Sequence, residues 1–518
     1  MQKKIKAGET FLGIEFGSTR IKACLIDDKY TPIASGGYEW ENKLENGYWT
    51  YSLDDIHKGL RECFSDLSKN VYDEYGIKLE SVGAMGISGM MHGYLAFDAD
   101  NNLLVPFRTW RNTTTEKAAD KLTELFGFNI PQRWSISHLY QAILNGEEHV
   151  SKVAYITTLA GYIHYLLTGR RELGVGEASG MFPISGNNYD AEMLKKFDEI
   201  STLEKNISDL LPEVKQAGEK GACLTEEGAK FLDPTGTFKA GVPLCPPEGD
   251  AGTGMVATNA VKPRTGNVSA GTSIFAMLVL EKALNNLYKE IDMVTTPDGF
   301  PVAMVHCNNC CGEVDAWVKL FGEFAELAGI SIDKSKLYDM LYKNTECADA
   351  DCGGVTAYNY LSGEHVTGVE KGSPMYFRTS QSKMTLANFI KAQLYSTMAT
   401  LKLGVDILFE NEKVTAEQIQ AHGGLFKVKG IAQQILANAL NTNVSVMETA
   451  GEGGAWGMAL LAAFMMSDDT SLGEWLNENV FANMNTETVA PNEDGANGFS
   501  EYIKRYKAGL CAEKELGI

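Results

Sequence analysis

Four short islands in this 518-residue chain set glycines beside groups that can handle a phosphate or a proton. The first, IEFGSTRIK at residues 14–22, places a carboxylate, Glu15, before a turn made of Gly17, Ser18 and Thr19, and a cation, Lys22, after it. Glycine lets the backbone bend tightly and leaves its N–H groups open to an anion. Phosphoryl transfer needs such parts, because its catalysis is mostly positioning and charge neutralisation by N–H groups, cations and Mg2+. The second island, SGMMHG at residues 88–93, closes a strand, and its His92 is suited to hydrogen-bond a sugar hydroxyl. In the third, EGDAGTG at residues 248–254, Asp250 sits among small residues that leave it reachable, so it can accept the proton of an attacking hydroxyl. The fourth joins Gly271, Thr272 and Ser273 with Gly423 and Gly424 (AHGGLF) and with GEGGAWG at residues 451–457. The last two groups precede apolar helices, a placement that suits phosphates or a close-lying adenosine. Each island taken alone also has a structural reading: a hairpin turn, a satisfied histidine, an Asp-Gly turn, a lone GG. No GxxxxGK[ST] sequence occurs.

The elements that must carry these islands repeat. Residues 13–26 (GIEFGSTRIKACLI) and 266–280 (GNVSAGTSIFAMLVL) both read as strand, glycine turn, strand, and their turns stand about half of the 518 residues apart. In the first half, 12–16, 22–26 and 32–40 read as a three-strand meander, and Ser52 with Asp55 caps a helix running to Tyr75. A strand at 82–88, strands at 94–98 and 103–106 around a DADNN turn, and helices at 115–126 and near 138–144 follow. A strand at 153–157 and a helix stopped by Gly169 complete the half. In the second half a PDG turn at 297–299 joins two strands, and Leu394, Met398, Leu401, Val405 and Leu408 recur at helical spacing over 387–410. Helices at 431–440 and 455–466 end it. The boundary is expected near 261–266, which gives an N-terminal domain over 1–262 and a C-terminal domain over 263–518.

Composition narrows the function. A formal net charge of −21 and a pI near 4.9 argue against nucleic acid and anionic membranes as partners. The longest apolar run, 455–466, is too short to span a bilayer. Lys3, Lys4 and Lys6 are followed by no apolar run of signal-peptide length, so a cytoplasmic location with reduced thiols is expected for the ten cysteines. The cluster HCNNCC at 306–311, with Cys347 and Cys352 beyond it, lacks paired zinc knuckles and reads as buried reduced cysteine.

Taken in order, the islands resemble the FGGY carbohydrate kinases of the actin, sugar kinase and Hsp70 ATPase superfamily. IEFGSTRIK resembles the first phosphate motif, SGMMHG the sugar-site strand, EGDAGTG the catalytic aspartate loop, SAGTS the second phosphate motif and AHGGLF the adenosine motif. YLSGE at 360–364 and EASG at 177–180 resemble segments of xylulokinase-like members. The resemblance implies an α/β fold of two duplicated ribonuclease H-like (actin-like ATPase) domains with a catalytic cleft between them. It implies Asp250 as general base and Met91, His92 and Trp110 along the sugar pocket. Gly17, Ser18, Thr19 and Lys22 would lie near the phosphates, Gly271, Thr272 and Ser273 opposite them, and Gly423 and Gly424 near adenosine. ATP and Mg2+ are the implied cofactors, with Glu15 bound to the metal directly or through water. A small-molecule sugar and ATP are the implied partners, and a homodimer is the self-association to test.

Three departures bear on the substrate. Glu15 stands where the first motif usually has aspartate, Met90 where the sugar strand usually has glutamine, and Trp110-Arg111-Asn112-Thr113-Thr114 replaces the Trp-Asn-Asp-x-Arg of xylulokinase-like members. Because a pocket built for one hydroxyl rejects analogues that leave its polar groups unpaired, such changes alter the preferred sugar. The expected reaction is ATP-dependent phosphorylation of a ketopentose of the xylulose or ribulose type, with another ketose or a polyol as the alternative. From a different class, a non-catalytic ATP-driven switch would share the fold, but it has no need of Asp250 beside a sugar-site strand.

Overall fold

The computed structural model describes residues 1–447, 453–482, 484 and 486–516. The chain divides into two compact units. The first comprises Met1–Lys262 with Met293–Val302 and Gly451–Met484; the second comprises Pro263–Asp292, Ala303–Ala450 and Asn485–Ile518.

The first unit is organised by a five-stranded sheet in the order Glu248–Gly249, Ala84–Gly89, Phe11–Phe16, Arg20–Ile26, Pro32–Glu39. The last three strands form the expected antiparallel meander, and the first two run parallel to Phe11–Phe16. Their apolar residues Leu12, Ile14, Phe16, Ile21, Leu25, Met85 and Ile87 are buried in one core. The helix Leu53–Tyr75 begins where Ser52 accepts a hydrogen bond from the Asp55 N–H and ends at left-handed Gly76, so its Ile56, Leu60, Phe64 and Leu67 meet that core. The apolar run near residue 460 is the helix Gly453–Met465, buried almost all round and packed on Phe11–Phe16 and Ala84–Gly89. Gly13 permits this approach, since a Cβ there would lie 2.1 Å from the Ala455 carbonyl oxygen.

The second unit repeats the plan. Its sheet contains, in order, Ile274–Val279, Thr265–Ala270, Gln418–His422, Asn443–Met447 and Thr486–Val489, with residues 303–307 of the strand Pro301–Cys307 beside Ile274–Val279. An antiparallel hairpin again lies beside two parallel strands, with a third strand beyond the hairpin. This shared order identifies a duplication more directly than the glycine turns do. The helix Leu386–Asp406 runs on into a π turn at Ile407–Asn411, and all five residues of its predicted stripe are buried. Among the described residues no helix is long and apolar enough to cross a membrane.

Candidate active site

In the first hairpin the strand register does the chemical work. Glu15 and Lys22 are direct cross-strand partners, so their side chains leave the same face of the sheet. The N-terminal turn of the helix Gly453–Met465 sits beside the Glu15 carboxylate, which accepts hydrogen bonds from the N–H groups of Gly454 and Ala455. A helix N-terminus favours negative charge, and Gly454 makes the approach possible: a Cβ there would lie 2.4 Å from Glu15 Oε1. Burial and the nearby Asp250 charge nevertheless push the Glu15 carboxyl above its ordinary value, against Lys22 and the two N–H groups. Of GEGGAWG, Gly451 and Glu452 lie outside the described residues.

The turn itself is clamped. Trp40 Nε1 donates to the Gly17 carbonyl at 2.7 Å and the Tyr51 hydroxyl donates to that of Ser18 at 2.5 Å. Those two rings stack on each other with centroids 4.0 Å apart, an arrangement worth ~1 kcal/mol beyond its burial. Trp110 Nε1 donates to Ser18 Oγ at 3.3 Å, and Ser18 Oγ lies 3.8 Å from Met90 Sδ. Thr19 is exposed.

Asp250 is the first residue of the helix Asp250–Ala257, so the segment expected as a loop is helical from the aspartate onward. The reason is local: Gly249 is extended at the N-cap, and Thr253 Oγ1 bonds back to the carbonyls of Gly249 and Asp250. The Asp250 carboxylate accepts from the Met91 N–H at 3.2 Å and from the Ala251 N–H at 2.9 Å. Desolvation raises the Asp250 carboxyl above the usual aspartate range while these N–H groups pull the other way. The second and third islands therefore meet through a hydrogen bond. Met91 is buried, its side chain against Gly249 and Gly180, and half-exposed Trp110 reaches the Ser18 side of the turn. His92 is also buried, with φ at +69°, and its Nδ1 donates to the Gly180 carbonyl in EASG at 3.1 Å. Burial, reinforced by Arg133, holds it neutral by pushing its pKa down to about 3.

Two further carboxyls stand behind Asp250. Glu248 is 2% exposed and accepts from the N–H groups of Gly176, Glu177 and Gly249; burial lifts it to about 8. Gly174 and Gly176 leave the room it occupies, since a Cβ on either would lie within 2.5 Å of its carboxylate oxygens. Glu177, fully buried, is driven well above the ordinary glutamate value by desolvation and by Glu248 and Asp250. In the sequence Glu248 and Glu177 stand only as the first residues of EGDAGTG and EASG, with no role of their own. The GVGE glycines were the available signal, and they acquire meaning only once Glu248 is seen to fill the space beside them.

In the second unit Gly271, Thr272 and Ser273 form a tight turn closed by the Gly271 N–H on the Ser273 carbonyl at 2.9 Å. Gly423, with φ at +108°, passes so near the preceding strand that a Cβ would lie 2.2 Å from the Ala270 carbonyl oxygen. Gly271, Thr272 and Gly424 line one cavity of about 450 Å³ together with Cys311, Asp315, Tyr338 and Leu425. Ser273 closes the turn, and Gly423 is the N-cap of the short helical turn Gly424–Lys427. Among the described residues no group of three or more His, Cys, Asp or Glu side chains gathers to hold a metal.

Comparison with known proteins accounts for this arrangement. The N-terminal domain of the FGGY family of carbohydrate kinases matches residues 10–256, and its C-terminal domain matches residues 266–466. A xylulose kinase of Haemophilus influenzae is 23% identical over 469 residues, covering 86% of this chain and 89% of that protein. Among solved structures, a xyloylose kinase from Brucella ovis superposes with a TM-score of 0.79 at 19% identity, over 98% of this chain and 100% of the other. A gluconate kinase from Lactobacillus acidophilus superposes with a TM-score of 0.78 at 18% identity, over 98% of this chain and 99% of the other. With both family domains matched in order along most of its length, the chain belongs to the FGGY family of carbohydrate kinases and is a sugar phosphotransferase.

Proposed function

We propose that this kinase phosphorylates a hydroxyl of a neutral ketopentose, of the xylulose or ribulose type, with Asp250 as its general base. The observation that carries the reading is the hydrogen bond from the Met91 N–H to the Asp250 carboxylate, which ties the proton acceptor to the end of the sugar-site strand. The curated relative named as a xylulose kinase supports the ketopentose.

In this mechanism Met91, His92 and Trp110 bound the sugar pocket, and the N–H bonds to Asp250 aim its free carboxylate oxygen at the hydroxyl proton. Asp250 takes that proton as the hydroxyl oxygen bonds to the γ-phosphorus and the β–γ bridging bond breaks, releasing ADP. The turn of Gly17, Ser18 and Thr19, with Lys22, holds phosphate oxygens through N–H groups, hydroxyls and charge. The cavity at Gly271, Thr272 and Gly424 takes the nucleotide, with Ser273 and Gly423 shaping it. The Asp250 charge raises the cost of ionising Glu15, and the two carboxylates are hard oxygen donors that fit a divalent cation. Mg2+ is commonly held by one or two carboxylates plus substrate phosphates. When bound, Mg2+ neutralises charge on the phosphates, and Glu15 is the residue that would hold it, directly or through water.

An ADP-release assay over ketopentoses, ketohexoses, glycerol, erythritol and aldonic acids tests the proposal. Turnover is expected with a ketopentose and lost in Asp250→Asn. Preferred turnover of an aldonic acid, or turnover surviving Asp250→Asn, would overturn it.

A further inference from the structure

The cysteine cluster of HCNNCC is not absorbed by the kinase reaction. Cys310 and Cys311 are consecutive, and their sulfurs face each other at 3.6 Å. Cys310 is 1% exposed, whereas Cys311 is partly exposed on the wall of the cavity that contains Gly271, Thr272 and Gly424. The backbone joins the pair to the second phosphate turn: the Cys310 N–H donates to the Thr272 carbonyl and the Cys311 N–H to the Gly271 carbonyl, both at 3.0 Å.

The dithiol is also held rigidly from the other side. Asn309 Oδ1 accepts from the N–H groups of Leu361 and Ser362, its Nδ2 donates to Glu364, and Asn359 Nδ2 donates to the Cys310 carbonyl at 2.9 Å. The Asn308 N–H adds a bond to Glu364 at 2.8 Å. YLSGE is therefore a clamp on this loop. Two thiols fixed in contact have already lost the freedom that a chelating electrophile must otherwise remove. The contact with the Cys311 sulfur, together with burial, pushes the Cys310 thiol well up, and partly exposed Cys311 is the residue of the pair that an incoming electrophile meets first.

We propose that Cys310 and Cys311 form a modification site for trivalent thiophilic electrophiles of the arsenous class, and that its occupation blocks the nucleotide cavity. With a monosubstituted arsenous oxide the step balances without redox change. Two As–S bonds form, the arsenic–oxygen bond breaks, and the two thiol protons leave with that oxygen as water. The ring so formed stands on the cavity wall at Cys311 and constrains the backbone whose N–H groups support Gly271 and Thr272. The blocking of nucleotide rests on the reading of this cavity given under Proposed function; the capture itself does not.

Phenylarsine oxide is the probe. Intact-mass and peptide analysis of the full chain is expected to show one phenylarsenic group bridging Cys310 and Cys311, removed by excess dithiol but not by monothiol. Cys310→Ala and Cys311→Ser are each expected to abolish dithiol-specific capture, whereas Cys223→Ala, at an exposed cysteine, leaves it intact. Circular dichroism confirms that each variant is folded, and capture by the wild-type chain needs no variant. A fluorescent ADP analogue is expected to bind about tenfold more weakly to the modified chain and to slow capture when added first. Absence of a bridged adduct on the wild-type chain, or a monothiol-reversible adduct on another cysteine, would overturn the site. A bridged adduct that leaves analogue binding unchanged would overturn the block. Failure of the unmodified chain to bind the analogue would instead overturn the nucleotide reading, with capture still decided by mass.

Discussion

The two glycine hairpins look alike in sequence and differ in construction. In the first, Phe16 pairs with Ile21 and four residues make the turn; in the second, Ala270 pairs with Ile274 and only three do. The extra residue places Glu15 opposite Lys22, whereas the second hairpin has neutral Ser269 opposite Phe275. The first turn is fixed by the Trp40 and Tyr51 side chains, and the second by backbone bonds from Cys310 and Cys311. Duplication thus preserved the sheet order and let the turns diverge. Under the proposed function, the ionisable groups that handle charge changing during the reaction, Glu15, Lys22 and Asp250, belong to the first unit, and the second unit's turn offers neutral hydroxyls and N–H groups for binding.

The strongest way to break this division is at Asp250. Asp250→Asn should lower kcat by about 10²–10⁴-fold in the ADP-release assay while a fluorescent ADP analogue binds as before. Loss of nucleotide affinity on the same scale would mean that the first unit also does the binding. In the wild-type protein the raised Asp250 carboxyl should set an acid limb in kcat/KM above the ordinary aspartate range. Activity falls as pH drops through it, because the base becomes protonated.

Next come the two turns compared directly. Glu15→Gln should cost about 10²-fold in kcat, comparable to removing a group that stabilises transition-state charge. Thr272→Ala together with Ser273→Ala should mainly raise KM for ATP, by roughly tenfold for hydrogen bonds of ~0.5–1.5 kcal/mol each. Equal effects on kcat from both changes would erase the distinction.

Glycine substitutions sharpen the contrast structurally. Gly423→Ala combines a left-handed backbone with a clash at the Ala270 carbonyl, and should lower stability by ~1–3 kcal/mol, read by urea unfolding. Gly454→Ala should instead act on kcat, since its Cβ would press on the Glu15 carboxylate and on Thr253 Oγ1. The smallest expected effect is on the YLSGE clamp. Burial raises Glu364 from 4.5 to about 7, so its contribution to stability is full below about pH 4.5 and is lost as pH rises through about 7. Thermal melts of Glu364→Gln should lose that part of the pH dependence.

Much of the architecture was legible along the chain because it rests on local rules. The meander, the Ser52-capped helix, the Gly169 stop and the stripe from Leu394 to Leu408 follow from alternation, capping and helical spacing. The Asp250 segment was misjudged as a loop because its glycines suppress helix propensity, while the Thr253 bonds and packing against the helix Gly453–Met465 sustain the helix. The supports of the site were largely invisible. Trp40 and Tyr51 lie 23 and 33 residues from the carbonyls they hold, and no local pattern marks such a pair.

By itself, then, the sequence determined the duplicated α/β plan, the family and the groups proposed to react, since residue type and short-range order encode these. Tertiary structure alone decided that Glu15 meets a helix N-terminus from the far end of the chain, that Glu248 fills the space left by Gly174 and Gly176, and that Met91 holds Asp250. It also decided that two adjacent thiols face one another beside the turn of Gly271 and Thr272. Carboxylate ionisation and thiol reactivity depend on distances of a few ångströms between segments far apart in sequence, and only folding sets those distances.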